Sequence, residues 1–120
     1  MSNIINFLSF ANELYYDNLD RIRQEALNFN IFNIVYTYRN TDLKTFFPEF
    51  LDIHENYMLN NHRGYGYWIW KPYIILKTLE SMNENDILVY TDAGCTLNKN
   101  GMNRFYEYID MVKNNYCGNV

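Results

Sequence analysis

Three short apolar runs alternate with stretches of helical periodicity, and this alternation constrains the fold more than any other feature of the sequence. The runs cover residues 4–10, 34–38 and 87–91. Short apolar runs of this kind predict strands that are buried on both faces, as in a parallel sheet. Alternating strands and helices predict crossover connections. We therefore expect one α/β domain over residues 1–120, in the order β-α-β-α-α-β-α, with a mainly parallel sheet.

The helices are predicted from capping residues and from the spacing of apolar side chains. The first follows Asn12, which we expect to be its N-cap, and a short turn opens at 41–42. Two further helices are expected near Pro48 and Pro72, and the last near Met102. The predicted buried faces are Tyr15, Leu19, Ile22 and Ala26; Phe47, Leu51, His54 and Met58; Ile75, Leu76, Leu79 and Met82; and Met102, Phe105, Ile109 and Val112.

Charge and composition exclude several classes of function. The net charge is −4 and the basic residues are scattered, so we expect no nucleic-acid partner. No stretch approaches the ~20 apolar residues of a membrane span, and the N-terminus lacks the basic region of a signal peptide. Cys95 and Cys117 are isolated, which favours a reducing compartment, and we expect a cytoplasmic protein in which Cys95 is buried as a small hydrophobe.

The segment 63–72, Arg-Gly-Tyr-Gly-Tyr-Trp-Ile-Trp-Lys-Pro, carries the densest functional signal. Its two glycines allow positive φ or a close approach of the backbone to a ligand. Lys71 lies at a helix start, where the macrodipole already favours anions, so the two together predict a site for a diphosphate. The alternative is that the aromatic residues are core and the glycines only turn the chain.

A second signal lies where the third strand ends, at Asp92-Ala93-Gly94-Cys95. A carboxylate at a strand end could accept a ribose hydroxyl or hold Mg²⁺ or Mn²⁺. It could equally be an Asp that caps the following turn. His54 and His62 are not persuasive as bases, because His54 falls on an apolar stripe and His62 at a helix end.

Together these two segments resemble the pattern GYGYWxWKP…GDxLxYxDAGC of a glycosyltransferase-like group from bacterial surface-polysaccharide loci and large DNA viruses. The opening, Phe7 to Asn12 with Tyr15, Arg21 and Ala26, is similar to the first strand and helix of that group. The resemblance covers most of the chain. It implies the donor-binding half of a glycosyltransferase A-type fold, three-layered and Rossmann-like, with a nucleotide-sugar donor bound at the strand ends and a glycan or protein acceptor.

The resemblance also assigns roles to individual residues. Ser9, Phe10 and Ala11 would line the nucleobase and ribose pocket, and Lys71 would approach the diphosphate or donor sugar. Asp92, followed by Ala93 and Gly94, would take the place of the first acid of an Asp-x-Asp motif that binds ribose and divalent metal. The residues that share these expected roles are Ser9, Phe10, Ala11, Lys71, Asp92, Ala93 and Gly94.

The sequence departs from that group in two respects. Gly94 stands where the second acid is expected, which puts dependence on Mn²⁺ or Mg²⁺ in doubt. Only 28 residues follow Asp92, so we expect the chain to lack the acceptor-binding half and we identify no catalytic base.

Two alternatives stay open. The first is a non-catalytic module that binds a nucleotide or a sugar. Such a module could also serve in assembly, for example of a homo-oligomer, with its Tyr- and Trp-rich segment making the contacts. The second is a haloacid-dehalogenase-type phosphatase, because residues 92–97 resemble Asp-x-Asp-Gly-Thr-Leu. That chemistry needs a second Asp as general acid, and Gly94 cannot donate a proton.

Overall fold

The structure, a computed structural model, describes residues 4–114 apart from the Tyr67 side chain. Its strands are β1 (Ile5–Ala11), β2 (Val35–Arg39) and β3 (Ile87–Tyr90). The helices are α1 (Tyr16–Phe29), α2 (Asn40–Phe46), α3 (Pro48–Asn60), the single turn α4 (Gly64–Tyr67), α5 (Trp70–Ser81) and α6 (Met102–Asn114). Two 3₁₀ turns, Glu13–Tyr15 and Lys99–Gly101, precede α1 and α6.

The three strands form one parallel sheet in the order β2-β1-β3. Phe7 of β1 pairs with Val35 on one side and with Val89 on the other. All residues of β1 after Ile5 are buried, which is the burial expected of a central strand. The predicted α/β fold with a parallel sheet is confirmed, and it is compatible with a Rossmann-like arrangement.

Helices cover both faces of the sheet, because alternate side chains of β1 enter different clusters. Leu8 and Phe10 pack with residues of α2, α3 and α5, and Phe7 and Ala11 pack with residues of α1. Each large apolar side chain buried in this way stabilises the fold by roughly 1.5–3 kcal/mol relative to its exposed state. The packing fixes the carboxyl end of β1 between two layers of helices.

The prediction of which face of α5 is buried is wrong. Leu76 and Leu79 are 52% and 46% exposed, and the buried residues are instead Trp70, Ile74 and Thr78. The helix begins at Trp70, two residues before Pro72, and the indole of Trp70 sets the face that meets the sheet. In α6 the predicted face is closer to the structure: Ile109 is buried, and Met102, Phe105 and Val112 are partly buried.

Three smaller expectations have mixed outcomes. Asn12 precedes the 3₁₀ turn, but its side chain makes no capping hydrogen bond. His54 is partly buried with its ring 4.8 Å from that of Phe50, as a packed residue should be. Cys95 is exposed rather than buried, because it lies on the loop that leaves the sheet, and Cys117 falls outside the described residues.

Within residues 4–114 no helix is long and apolar enough to cross a membrane.

Candidate functional site

A cleft of about 430 Å³ opens at the carboxyl ends of β1 and β3. The chain passes from β1 to β2 on one side and then crosses to β3 on the other, so the strand order reverses between β1 and β3. In open parallel sheets this reversal is where ligands bind. The residues lining the cleft are Phe10, Ala11, Asn12, Leu14, Tyr15, His62, Arg63, Gly64, Tyr65, Trp68, Trp70, Asp92, Ala93 and Gly94.

The predicted site residues of β1 divide into two groups. Ala11 lines the cleft, and so does Phe10, whose ring centroid lies 4.0 Å from that of Trp70. Ser9 does not line it. Its side chain is fully buried and its hydroxyl donates to the carbonyl oxygen of Thr91 at 2.8 Å, which joins β1 to the end of β3. Contact between Ser9 and a ligand would therefore require the strand ends to separate.

Among the residues that the structure describes, two buried side-chain oxygens at these strand ends lack a hydrogen-bond partner. They are Oδ1 of Asn12, which follows β1, and Oγ1 of Thr91, which follows β3. A buried polar atom without a partner costs about 1–3 kcal/mol, so its persistence calls for an explanation. Asn12 lines the cleft. Because the oxygen itself is closed to solvent, a ligand in the cleft could donate to it only after the Asn12 side chain rearranges.

Lys71 and Asp92, predicted separately from two distant segments, form an ion pair. The ammonium nitrogen of Lys71 lies 2.9 Å from Oδ1 of Asp92. The same oxygen accepts a hydrogen bond from the hydroxyl of Tyr90 at 3.1 Å, and the ammonium lies 5.3 Å from the centroid of the Tyr90 ring. Burial and the Asp92 charge raise the pKa of Tyr90, which keeps its hydroxyl protonated as a donor.

The opposite wall of the cleft is a turn with left-handed backbone. Gly64 and Gly66 have φ of +61° and +84°, and Tyr65 and Trp68 adopt φ of 49° and 62°. The left-handed conformation costs a non-glycine residue about 1–2 kcal/mol, so the surroundings must hold it. The predicted role of the two glycines in allowing positive φ is confirmed.

The core indole of Trp70 secures this turn. Trp70 is 5% exposed, and its Nε1–H donates to the carbonyl oxygen of Gly64 at 3.0 Å. An added Cβ at Gly66 would lie 2.6 Å from Cγ of Met58, so this position has no room for a larger residue. Trp70 is therefore core, whereas Trp68 is 44% exposed at the cleft and free to contact a ligand.

An arginine on α1 fixes the loop that carries Asp92. Nη2 of Arg21 donates to the carbonyl oxygens of Ala93 at 3.0 Å and Cys95 at 2.8 Å. Arg21 also pairs with Glu25 at 2.5 Å, and Glu25 accepts a hydrogen bond from the Leu97 backbone N–H at 2.8 Å. Burial alone would raise the pKa of Glu25, but the Leu97 N–H and Arg21 together lower it. This clamp holds Ala93 and Gly94 at the edge of the cleft.

Sequence reasoning missed the rim of the cleft. Leu14 and Tyr15 are 81% and 53% exposed there, although Tyr15 was expected on the buried face of the first helix. Two adjacent, exposed, largely apolar side chains at the rim of a cleft form a surface on which a ligand can pack. Tyr65 also lines the cleft, and burial and the charges of Glu13 and Glu55 raise its pKa.

Comparison of the chain with protein-family models, with curated proteins and with solved structures found no match. The resemblance of its two central segments to glycosyltransferase-like proteins therefore stays a prediction.

Proposed function

We propose that the cleft binds a nucleotide-sugar donor and that the chain is the donor-binding unit of a glycosyltransferase. The observation that carries this proposal is the position of the cleft at the reversal of strand order between β1 and β3. Parallel sheets bind nucleotides in that crevice, and here the loops after both strands line it.

Three features of the lining suit the parts of such a donor. The exposed rings of Tyr15 and Trp68 can stack on a base or a sugar. The carboxylate of Asp92 is an acceptor for ribose or sugar hydroxyls, and Oδ1 of Asn12 becomes one if its side chain turns into the cleft. Lys71, in the first turn of α5, lies beside the cleft where a diphosphate would be attracted.

Binding without transfer is the second candidate, and one observation favours it. The carboxylate of Asp92 is ion-paired with Lys71, an arrangement that holds two groups in position at the strand end. Incubation with a nucleotide sugar, with and without glycan acceptors, separates the two. Release of the nucleoside diphosphate supports an active enzyme, and binding without release supports a module.

The test of donor binding is isothermal titration of the full chain with UDP-, GDP-, ADP- and CDP-sugars. We expect one of them to bind, and Trp68→Ala to weaken that binding by about 1–3 kcal/mol through lost stacking. Tyr106→Ala is the matched control, because Tyr106 is equally exposed at 45% but lies on α6. Failure of every nucleotide sugar and diphosphate to bind would contradict the proposal.

A further inference from the structure

Two cationic side chains lie at the cleft or next to it: Arg63 belongs to the lining, and Lys71 is in contact with the lining residue Asp92. Lys71 is paired with Asp92, whereas Arg63, which lines the cleft, makes no ion pair among the residues that the structure describes. The guanidinium carbon of Arg63 lies 5.9 Å from the centroid of the Trp68 ring. An exposed guanidinium in this position can bind a phosphate group with two parallel hydrogen bonds.

The side-chain oxygens around Asp92 do not form a suitable set of ligands for Mg²⁺ or Mn²⁺. Oδ1 of Asp92 already binds the ammonium of Lys71 and the hydroxyl of Tyr90, so a metal ion on this carboxylate would have to share it with a positive charge. Hard divalent cations bind through several oxygens, commonly from two or more carboxylates. Gly94 supplies no side-chain oxygen, and residues 4–114 contain no cluster of three His, Cys, Asp or Glu side chains.

We propose that the cleft binds the diphosphate of a nucleotide without a divalent metal, and that Lys71 and Arg63 supply the positive charge. Asp92 then acts as the residue that orients Lys71, with the Tyr90 hydroxyl holding the carboxylate from a second direction. The inference rests on the proposed function, because it states how that site holds its donor. It assigns Arg63, a residue outside the predicted site, to phosphate binding.

The experiment compares calorimetric titrations of the full chain with UDP, GDP, ADP and CDP, in chelator and in Mn²⁺. We expect the same Kd under both conditions. Binding that is about tenfold or more tighter in Mn²⁺ would overturn the metal-free site and leave the proposed function standing. Absence of binding under both conditions would overturn the proposed function, and this inference with it.

Variants test the two cations separately. Lys71→Met and Arg63→Gln should each weaken diphosphate binding by about tenfold or more, with a much smaller effect on the nucleoside. The controls are Lys77→Met and Arg104→Gln. Lys77 lies on the same helix, pairs with Glu80 at 3.4 Å and lies 5.6 Å from the centroid of the Tyr73 ring. Arg104 lies over the Tyr108 ring on α6.

Equal losses in a variant and its control, or equal losses for diphosphate and nucleoside, would overturn the assignment. Lys71→Arg provides a second variant that keeps the charge, and it should retain most of the binding. Thermal unfolding of each variant establishes that it is folded before titration.

Discussion

The ammonium of Lys71 and the carboxylate of Asp92, 2.9 Å apart, join the first turn of α5 to the loop after β3. The side chains of Lys71 and Asp92 are 33% and 61% exposed, so water and salt screen their attraction. The pair therefore orients two groups at the cleft more than it stabilises the fold.

A double-mutant cycle measures this interaction directly. With Lys71→Met and Asp92→Asn, we expect a coupling of about 0.2–1 kcal/mol in the free energy of unfolding, which decreases as salt is added. Urea denaturation at low and high ionic strength gives the value. The pair Arg39–Asp20, at 3.3 Å and 43% and 61% exposed, is the matched comparison. A salt-independent coupling of several kcal/mol would show that the pair is structural.

Asn12→Ala should stabilise the ligand-free protein. The substitution removes a buried acceptor without a partner and loses no capping bond, so we expect a gain of about 1 kcal/mol in the free energy of unfolding. Ser9→Ala should do the opposite and lose about 1 kcal/mol, because its hydroxyl is satisfied by Thr91. Urea denaturation checks both, and a loss of stability in Asn12→Ala would contradict our interpretation.

Gly66→Ala should destabilise the turn beside the cleft by more than about 2 kcal/mol. The residue has φ of +84°, and a Cβ there would lie 2.6 Å from Cγ and 3.0 Å from Cα of Met58. Gly101→Ala is the control, because a Cβ at Gly101 would meet nothing within 4 Å. We expect little change in its melting temperature, and comparable losses in the two variants would refute the steric argument.

The Arg21–Glu25 clamp should contribute stability that depends on pH. The pKa of Glu25 in the folded protein is below its ordinary value of 4.5, so the charged form is favoured by folding. Its contribution is present above pH 4.5 and is lost as the pH falls through the lowered pKa. We expect Glu25→Gln to cost about 1 kcal/mol at neutral pH.

Chemical denaturation from neutral to acidic pH measures that cost. The difference between wild type and Glu25→Gln should disappear at the acidic end, where Glu25 is protonated. Glu107→Gln, which removes an exposed pairing with Arg104, should show little difference at any pH. A pH-independent cost for Glu25→Gln would indicate that the carboxylate charge plays no part in the clamp.

The sequence predicts the strands well because their signal is local. Five of the seven side chains in the run at 4–10 are apolar and they fall on both faces of a strand, so such a segment is stable only where both faces are covered. The same reasoning fails for α5, where apolar residues occur on more than one face. Which face is buried depends on Trp70, and its position depends on contact with Phe10, which is distant in sequence.

The components of the site are predictable, but their pairing is not. Lys71 and Asp92 can be identified separately from a helix start and a strand end, yet nothing local indicates that they form an ion pair. Likewise, the left-handed conformation of Tyr65 and Trp68 is imposed by Trp70 and the packing around Gly66, and no propensity of a tyrosine or a tryptophan predicts it.

The central position of β1 has a consequence for how the chain folds during synthesis. Ser9 and Thr91, which hydrogen-bond across β1 and β3, are 82 residues apart. Closing so long a loop is entropically costly, and a topology of this kind folds slowly. Of the three strands, β1 is made first, yet it acquires its second neighbour only after residue 90 has been made. Until then Phe7 and Leu8, which are fully buried in the folded chain, lack part of the packing around them, and apolar surface exposed in this way favours aggregation.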